Sequence, residues 1–345
     1  MSAAPPAGGR PAAGGPPLRV AVAGCGLIGS KRAAALGPDR LTGCFDADPE
    51  AARRLAGAHG CPAHDSLDDL LAGRPDVVVV AVYHRDLAAL ATRALDAGAH
   101  VLVEKPAGIG SEQVRALRHA AARTGSLVKV GFNHRFHPGI RRAVEEARSG
   151  RYGEVMFVRG RYGHGGRPGY DREWRADPAL SGGGEIVDQG MHLLDLCHWL
   201  MGPLPLGGSM LRTQYWDAPV DDNAVLLLGE QGGVGSDEPW AMLHVSWTEW
   251  KNMFSLEVYC RRAKITVDGL AGSYGPQTLR IHRMRPELGP PDTETVTFAE
   301  RDLSWEAEWD HFRAAVIAAD GRPLLGDLES AAYAWQVVER AQGRR

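Results

Sequence analysis

Short aliphatic runs alternate with Ala-rich helical patterns through residues 18–132, and that alternation constrains the fold more than any other feature of the chain. Residues 18–23 form an apolar run that stops at a glycine cluster, and residues 27–36 read as a helix directly after it. Residues 41–45 read as a second short strand, and 49–58 as the helix that follows. Residues 76–82 are almost purely aliphatic, as expected of a strand buried on both faces. A helical pattern over 87–97 stops at Gly98, a residue suited to a C-terminal cap. Further buried strands are expected at 100–103 and 127–132. Strand, helix, strand repeated this often specifies a parallel, doubly wound sheet.

The texture changes after about residue 150. Runs at 155–161, 224–228, 242–247, 255–259 and 265–267 alternate apolar and polar residues between Gly and Pro turns. That is the pattern of an antiparallel sheet covered on one face. One strong helix is expected over 185–201, ended by Gly202-Pro203, with two more over 305–319 and 328–341. Residues 285–293 read as a Pro-rich surface loop. The expected class is therefore α/β. An N-terminal Rossmann-type, doubly wound parallel sheet occupies 18–135. A C-terminal α+β domain with a large, mostly antiparallel open sheet occupies 136–345, and its last helix packs back on the first domain. Residues 1–17, mostly Ala, Pro and Gly, lack the apolar centre of a signal peptide and read as a disordered tail.

Composition narrows the function classes. A chain of 345 residues is long enough for two cores, and 44% hydrophobic with 23% charged residues is ordinary for a globular protein. The net charge of −3, with no basic run, gives no electrostatic footprint for nucleic acid. No apolar stretch approaches the ~18 residues needed to span a bilayer, so a cytoplasmic protein is expected. Cys25, Cys44, Cys61, Cys197 and Cys260 are scattered and never form a Cys-x-x-Cys pair, which favours reduced thiols over disulfides or zinc. Cys197, beside Leu196 and near Trp199, reads as packing rather than as a nucleophile.

Three groups of residues carry chemistry. The first is Gly24-Cys25-Gly26-Leu27-Ile28-Gly29, between a strand and a helix. The first Gly allows the tight turn, the second lets a pyrophosphate approach the backbone, and the third lets helix and strand pack closely. The helix N-terminus then faces phosphate. Asp46 ends the next strand, where an acid binds the ribose 2′-hydroxyl and repels a 2′-phosphate. NAD is therefore expected rather than NADP. The second group is Glu104-Lys105-Pro106, directly after a buried strand, where open α/β sheets bind ligands. A lysine there can hold a hydroxyl oxygen and stabilise a developing alkoxide.

The third group lies in Gly183–Asp195, where Asp188 and His192 are one helical turn apart on one face and Asp195 follows. A carboxylate beside an imidazole raises its pKa and fixes its tautomer, as a general base requires. Asp188, His192 and either Asp195 or His198 also have metal-ligand character, but Asp195 is a natural partner for His192 or nearby backbone, and no metal is assigned.

These pieces together resemble the Gfo/Idh/MocA family of glucose–fructose oxidoreductase, inositol dehydrogenase and rhizopine-catabolism proteins. The resemblance runs in order through most of the chain. It rests on Val20 to Gly29, Phe45-Asp46-Ala-Asp-Pro, Ala97 to Pro106, Gly131-Phe-Asn-His-Arg-Phe-His-Pro, Ser181-Gly-Gly-Gly, Asp188-x-Gly-x-His192-x-x-Asp195 and Asp221-Asp-Asn. It implies that Lys105, Asp188 and His192 meet the nicotinamide ring between the domains. It also implies a homo-oligomer, a dimer or tetramer, formed through the C-terminal sheet. The chain departs from the family at Val82-Tyr83-His84-Arg85-Asp86-Leu87, where Thr-Pro-Asn-x-x-His is usual. That alignment puts His84 at the Asn position and leaves Leu87 unable to supply the usual hydrogen bonds. Val82, His84, Glu104 and Lys105 complete the expected cofactor contacts.

The resemblance further implies a dehydrogenase for a secondary hydroxyl of a small-molecule carbohydrate: a sugar, cyclitol or glycoside. His192 would be the base, Lys105 the oxygen-binding group, and Asp188 a binder of a neighbouring hydroxyl or an orienter of His192. Arg161, Tyr162, His164, Arg167 and Trp174 precede the catalytic helix and are substrate-shaping candidates. Trp247, Trp250, Lys251 and Asn252 form a second such cluster and Tyr274 a third, since aromatic faces suit sugar rings. The Ala, Gly and Arg-rich composition associates with antibiotic biosynthesis, aminoglycosides included. An NAD-using glycoside hydrolase and a non-catalytic NAD-binding regulator remain the alternatives.

Overall fold

A computed structural model describes residues 15–299, 301–321 and 323–344, so most of the expected N-terminal tail lies outside the described residues. The chain runs β1 (Arg19–Ala23), α1 (Leu27–Ala34), β2 (Arg40–Phe45), α2 (Pro49–His59), β3 (Ala63–His64), α3 (Leu67–Ala72), β4 (Val77–Val80), α4 (His84–Asp96), β5 (His100–Val103), α5 (Ser111–Thr124) and β6 (Val128–Val130). These strands form one parallel sheet ordered β3-β2-β1-β4-β5-β6. The order reverses between β1 and β4, and open α/β sheets bind ligands at such a switch point. All four valines of β4 are buried, which is why the run carries no alternation.

The second half continues with α6 (Pro138–Arg148), β7 (Val155–Gly163), α7 (Pro178–Ser181), α8 (Glu185–Asp188), α9 (Gly190–Met201), β8 (Leu206–Arg212), β9 (Asn223–Leu228), β10 (Trp240–Ser246), β11 (Met253–Cys260), β12 (Ala263–Asp268), β13 (Thr278–Arg283), β14 (Asp292–Thr297), α10 (Ser304–Ala318) and α11 (Leu328–Ala341). The strands build a second sheet, β14-β13-β12-β11-β7-β10-β9-β8, antiparallel except where β7 meets β10. In β11, Phe254, Leu256, Val258 and Cys260 are buried while the residues between them are half-exposed. Side chains of this period put one face against α6, α8 and α9 and leave the other open.

One difference from the sequence reading follows from tertiary context. The single helix expected over 185–201 is two, α8 and α9, joined at Gln189. The last helix is expected to pack back on the first domain, and α10 returns to the first sheet as well. Trp309 and Phe312 of α10 share a core with Val20, Val22 and Leu55, while α11 packs against α5 and α9. A buried ion network fixes the return: Arg32 Nε to Glu104 Oε1 and Arg32 Nη1 to Glu308 Oε2, both 2.6 Å, and Lys129 Nζ to Glu308 Oε1, also 2.6 Å. Among the described residues no helix is long and apolar enough to cross a membrane.

Candidate active site

The glycine loop sits where the order of the parallel sheet reverses. Gly24 has φ +98°, and a Cβ there would stand 2.3 Å from the carbonyl oxygen of Ala81 at the end of β4. A Cβ on Gly29 would stand 1.8 Å from the carbonyl oxygen of Gly24. Gly26 differs, with nothing within 4 Å of its would-be Cβ, so the loop presents bare backbone to open space. Leu27, 73% exposed at the first turn of α1, and half-buried Ile28 flank that space. Asp46 shapes the loop from the end of β2, accepting from Cys25 N at 2.6 Å and from Asp48 N at 2.8 Å. A carboxylate oxygen has more than one acceptor site, so Asp46 still has room for ribose hydroxyls. These features fit a dinucleotide: a cradle only glycines can line, a helix N-terminus, and an acid at the next strand end.

Lys105 follows β5 on the same edge of the sheet. Its ammonium donates to the Asp188 carboxylate and, at 2.7 Å, to the Asp188 carbonyl oxygen. Arg175 Nε donates to the other carboxylate oxygen, Asp188 Oδ2, at 3.0 Å. Burial alone would raise the Asp188 carboxyl, but Lys105 and Arg175 hold it well below the usual range. The tight turn ahead of α8 has φ +82° at Gly182 and +159° at Gly183, and a Cβ on Gly184 would strike the Asp221 backbone. Asp221 caps the helix, accepting from Gly184 N at 3.2 Å and Ile186 N at 2.8 Å. It is the anchor that aims Asp188.

His192 is not paired with Asp188, contrary to the expectation from their spacing. Two cations occupy that carboxylate, and His192 Nδ1 is buried with no hydrogen-bond partner among the described residues. Burial and then Lys105 push the imidazole well below its ordinary value, so it is neutral. Its ring stacks on His134, with centroids 3.8 Å apart. His134 Nδ1 in turn meets Asn133 Oδ1 at 3.2 Å. Asp195 does not support His192 either, because its carboxylate faces Arg135 Nε and Nη2 at 2.8 and 2.7 Å.

The remaining expected residues divide. His84 opens α4 and donates from Nδ1 to the Ser181 carbonyl oxygen at 2.8 Å, with its ring edge against Trp174. Burial and Lys105 lower its pKa to about 3. Val82 is half-buried just ahead of it. The Glu104 carboxylate is committed to Arg32. Tyr162 points inward at His134, His192 and Tyr274. Arg161 is a correction: neighbouring strand residues face opposite ways, so it lies on the open side of the sheet against Glu249. Trp250, 63% exposed, rests on Tyr215, and Lys251 is exposed; neither joins the Asp188 cluster. Arg167 pairs with Glu173, Asn252 donates to Ser273, and Trp247 is buried against Tyr170. Cys197 is buried, which pushes its thiol up to about 12.

Sequence reasoning missed Arg175, Asp221 and Glu185. Arg175 had no motif, and Asp221 was visible only as part of Asp-Asp-Asn. Glu185 reads from sequence as an ordinary acid in a first helical turn. In the structure Glu185, Asp188 and His164 bring one ligand atom each to within 4.8 Å of one another. This differs from the combination weighed from sequence, since His198 instead stacks on Tyr333.

A reversing parallel sheet with this glycine loop, joined to an open-sheet domain that delivers Asp188 and His192 to Lys105, defines a two-domain dinucleotide-binding oxidoreductase fold. Residues 18–132 match the family model described as "Oxidoreductase family, NAD-binding Rossmann fold", and residues 140–266 match "GFO/IDH/MocA C-terminal domain". The chain belongs to the Gfo/Idh/MocA oxidoreductase family.

Among curated relatives, it is 32% identical over 193 residues to D-glucoside 3-dehydrogenase of Escherichia coli (strain K12), 54% of each chain. It is 31% identical over 212 residues to inositol 2-dehydrogenase of Rhizobium meliloti (strain 1021), 59% of this chain and 61% of the relative. The chain thus spans little more than half the length of the curated relatives it matches. Among solved structures, GenD2 from gentamicin A biosynthesis in complex with NAD superposes with a TM-score of 0.78 at 26% identity, covering 95% of this chain and 93% of that one.

Proposed function

We propose that this chain is an NAD-dependent dehydrogenase that oxidises a secondary hydroxyl of a sugar, cyclitol or glycoside, or runs the same reaction in reverse. The observation that carries the reading is Lys105, at the strand end facing the dinucleotide cradle, bonded to Asp188 one turn from a neutral His192. NAD, when bound, supplies the hydride acceptor at C4 of the nicotinamide. His192 takes the hydroxyl proton as the carbon gives up hydride, leaving a ketone. Its neutral state is the one a general base needs, and protonation in the reverse direction returns the proton to the same oxygen. Lys105 donates to the reacting oxygen and stabilises the charge that develops there. Asp188, tied to Lys105 and Arg175, fixes the ammonium in place rather than orienting His192. The similarity to GenD2 and to glucoside and inositol dehydrogenases supports a carbohydrate substrate and a role in antibiotic biosynthesis. A second copy of the chain is proposed to dock through the open face of the large sheet.

A panel of sugars, sugar phosphates, sugar nucleotides, cyclitols and aminoglycosides, scored for NADH formation, tests the reading. His192→Ala is expected to cost roughly 10²–10⁴-fold in kcat while leaving NAD affinity near the parent value. Full turnover by that variant removes His192 from the mechanism. Release of a free sugar without NADH accumulation replaces the dehydrogenase by a hydrolase. NAD binding with no turnover on any member replaces it by a regulator.

A further inference from the structure

With Glu185 ionised, the chamber beside Asp188 holds more hydrogen-bond acceptors than its own donors satisfy. Glu185 is 0% exposed, and neither carboxyl oxygen has a partner among the described residues. On the same helical face, Gln189 donates its side-chain amide to the Tyr274 hydroxyl at 3.3 Å and leaves its amide oxygen buried without a partner. While Glu185 is protonated its own O–H is a donor; once it is ionised, three acceptors stand against one unpartnered donor, the buried indole N–H of Trp247, close enough to favour the carboxylate. Buried polar atoms are rarely left unmet, so the shortage of donors around an ionised Glu185 describes what the chamber receives. It calls for a group rich in donors and without lone pairs. An ammonium has three donors and no acceptor, whereas a hydroxyl has one donor.

Spacing and charge agree. Atoms of Glu185, Asp188 and His164 lie within 4.8 Å of one another. At that spacing a common centre stands at most about 2.8 Å from each, within the reach of an N–H···O bond. Lys105 and Arg175 both pair with Asp188, which leaves one positive charge in excess while Glu185 is protonated. Burial, then Asp188 and Asp221, keep the Glu185 carboxyl well above the usual range. A divalent ion would add charge to a chamber already positive. An ammonium that displaces the Glu185 proton leaves the total unchanged.

We propose that Glu185 is the specificity-determining residue of a subsite for an ammonium group on the substrate, so that the oxidised hydroxyl belongs to an amino sugar or aminocyclitol. The inference rests on the dehydrogenase reading above. Binding forms one ion pair between the substrate ammonium and the Glu185 carboxylate and releases the Glu185 proton to solvent; no electrons move in that step.

The probes are two pairs: methyl 2-amino-2-deoxyglucoside against methyl glucoside, and 2-deoxystreptamine against myo-inositol. Calorimetry on the NAD-loaded protein at pH 6.5, in buffers of different ionisation enthalpy, reports affinity and proton release. The amino member of at least one pair is expected to bind tenfold or more tightly, about what a charge-assisted hydrogen bond supplies, with release approaching one proton per site. Glu185→Gln, and Glu185→Ala as a second variant, should bring the ratio near one and abolish the release, with folding checked by thermal denaturation. Equal affinities, no proton release, or an unchanged ratio in both variants overturns the inference while leaving the dehydrogenase reading intact. Activity lost to a chelator and restored by Zn²⁺ or Mn²⁺ overturns it in favour of a metal centre. Binding of no probe at all, with no turnover on the wider panel, overturns both readings.

Discussion

Glu185 and Asp188 are carboxylates one turn apart whose surroundings push them in opposite directions. Asp188 faces two cations and stays ionised, and removing it would strand Lys105 and Arg175 in a largely buried site. Glu185 faces acceptors and stays protonated. The second case has a consequence for stability. An unfolded glutamate titrates near 4.3, so above that pH the unfolded chain sheds a proton that the folded chain keeps. The contribution of Glu185 is therefore fully present below the unfolded value. It is lost as pH rises through the folded one, by up to ~1.36 kcal/mol per pH unit. Glu185→Gln keeps the shape and removes that loss. In thermal denaturation without substrate, the variant should have a higher Tm than the parent at pH 7, with the gain shrinking toward pH 4.5. A lower Tm at pH 7 would show that the carboxyl stabilises the fold and is not held in reserve for a ligand.

Elements buried on both faces were the easiest to read from sequence. β4 is a run of valines, β5 is Val-Leu-Val after His100, and β1 ends at a glycine that only a tight turn explains. Edge strands β8 and β14 escaped, because a stretch such as Leu206–Arg212 is partly exposed along its whole length and is defined by its neighbour rather than by its own pattern. The site behaved likewise. The spacing of Asp188 and His192 was legible, but the partner each takes was not. Lys105 is 83 residues from Asp188, and local spacing does not report a contact made across two domains. The period-2 pattern of the large sheet also leaves a surface that nothing among the described residues covers. On its open face Phe157 stacks between Trp240 and Tyr259, with centroids 4.8 and 4.2 Å apart. Trp240 and Leu227 are more than two-fifths exposed. Such a patch suits a second copy of the chain. Sedimentation velocity should therefore find a dimer or tetramer, and Trp240→Glu should shift it toward monomer with the catalytic cluster untouched. A parent chain that is monomeric at tens of micromolar removes this reading.

For the whole molecule, histidine burial sets the acid limit. The chain has 13 histidines. His84, His100, His134, His137, His164, His192, His198 and His244 all have lowered pKa values, with burial the first cause in each. Each binds its proton less tightly in the folded state than an unfolded imidazole, which titrates near 6.5. The unfolded state thus binds more protons in that range. The stability tied to each ring is fully present above 6.5 and is lost as pH falls toward its folded value, by up to ~1.4 kcal/mol per unit. Glu185, Asp195 and Asp221 act in the opposite sense, since burial raises all three. Eight rings outweigh three carboxyls, so the net slope is downward. Tm should fall by more than about 5 °C between pH 7 and pH 5, while His192 itself stays neutral well below 6.5. Initial rates taken before unfolding should then keep their oxidation activity to a lower pH than prolonged assays do. A Tm that is flat or rising toward pH 5, or initial rates that collapse with an ordinary histidine midpoint, would show that these rings are hydrated in solution.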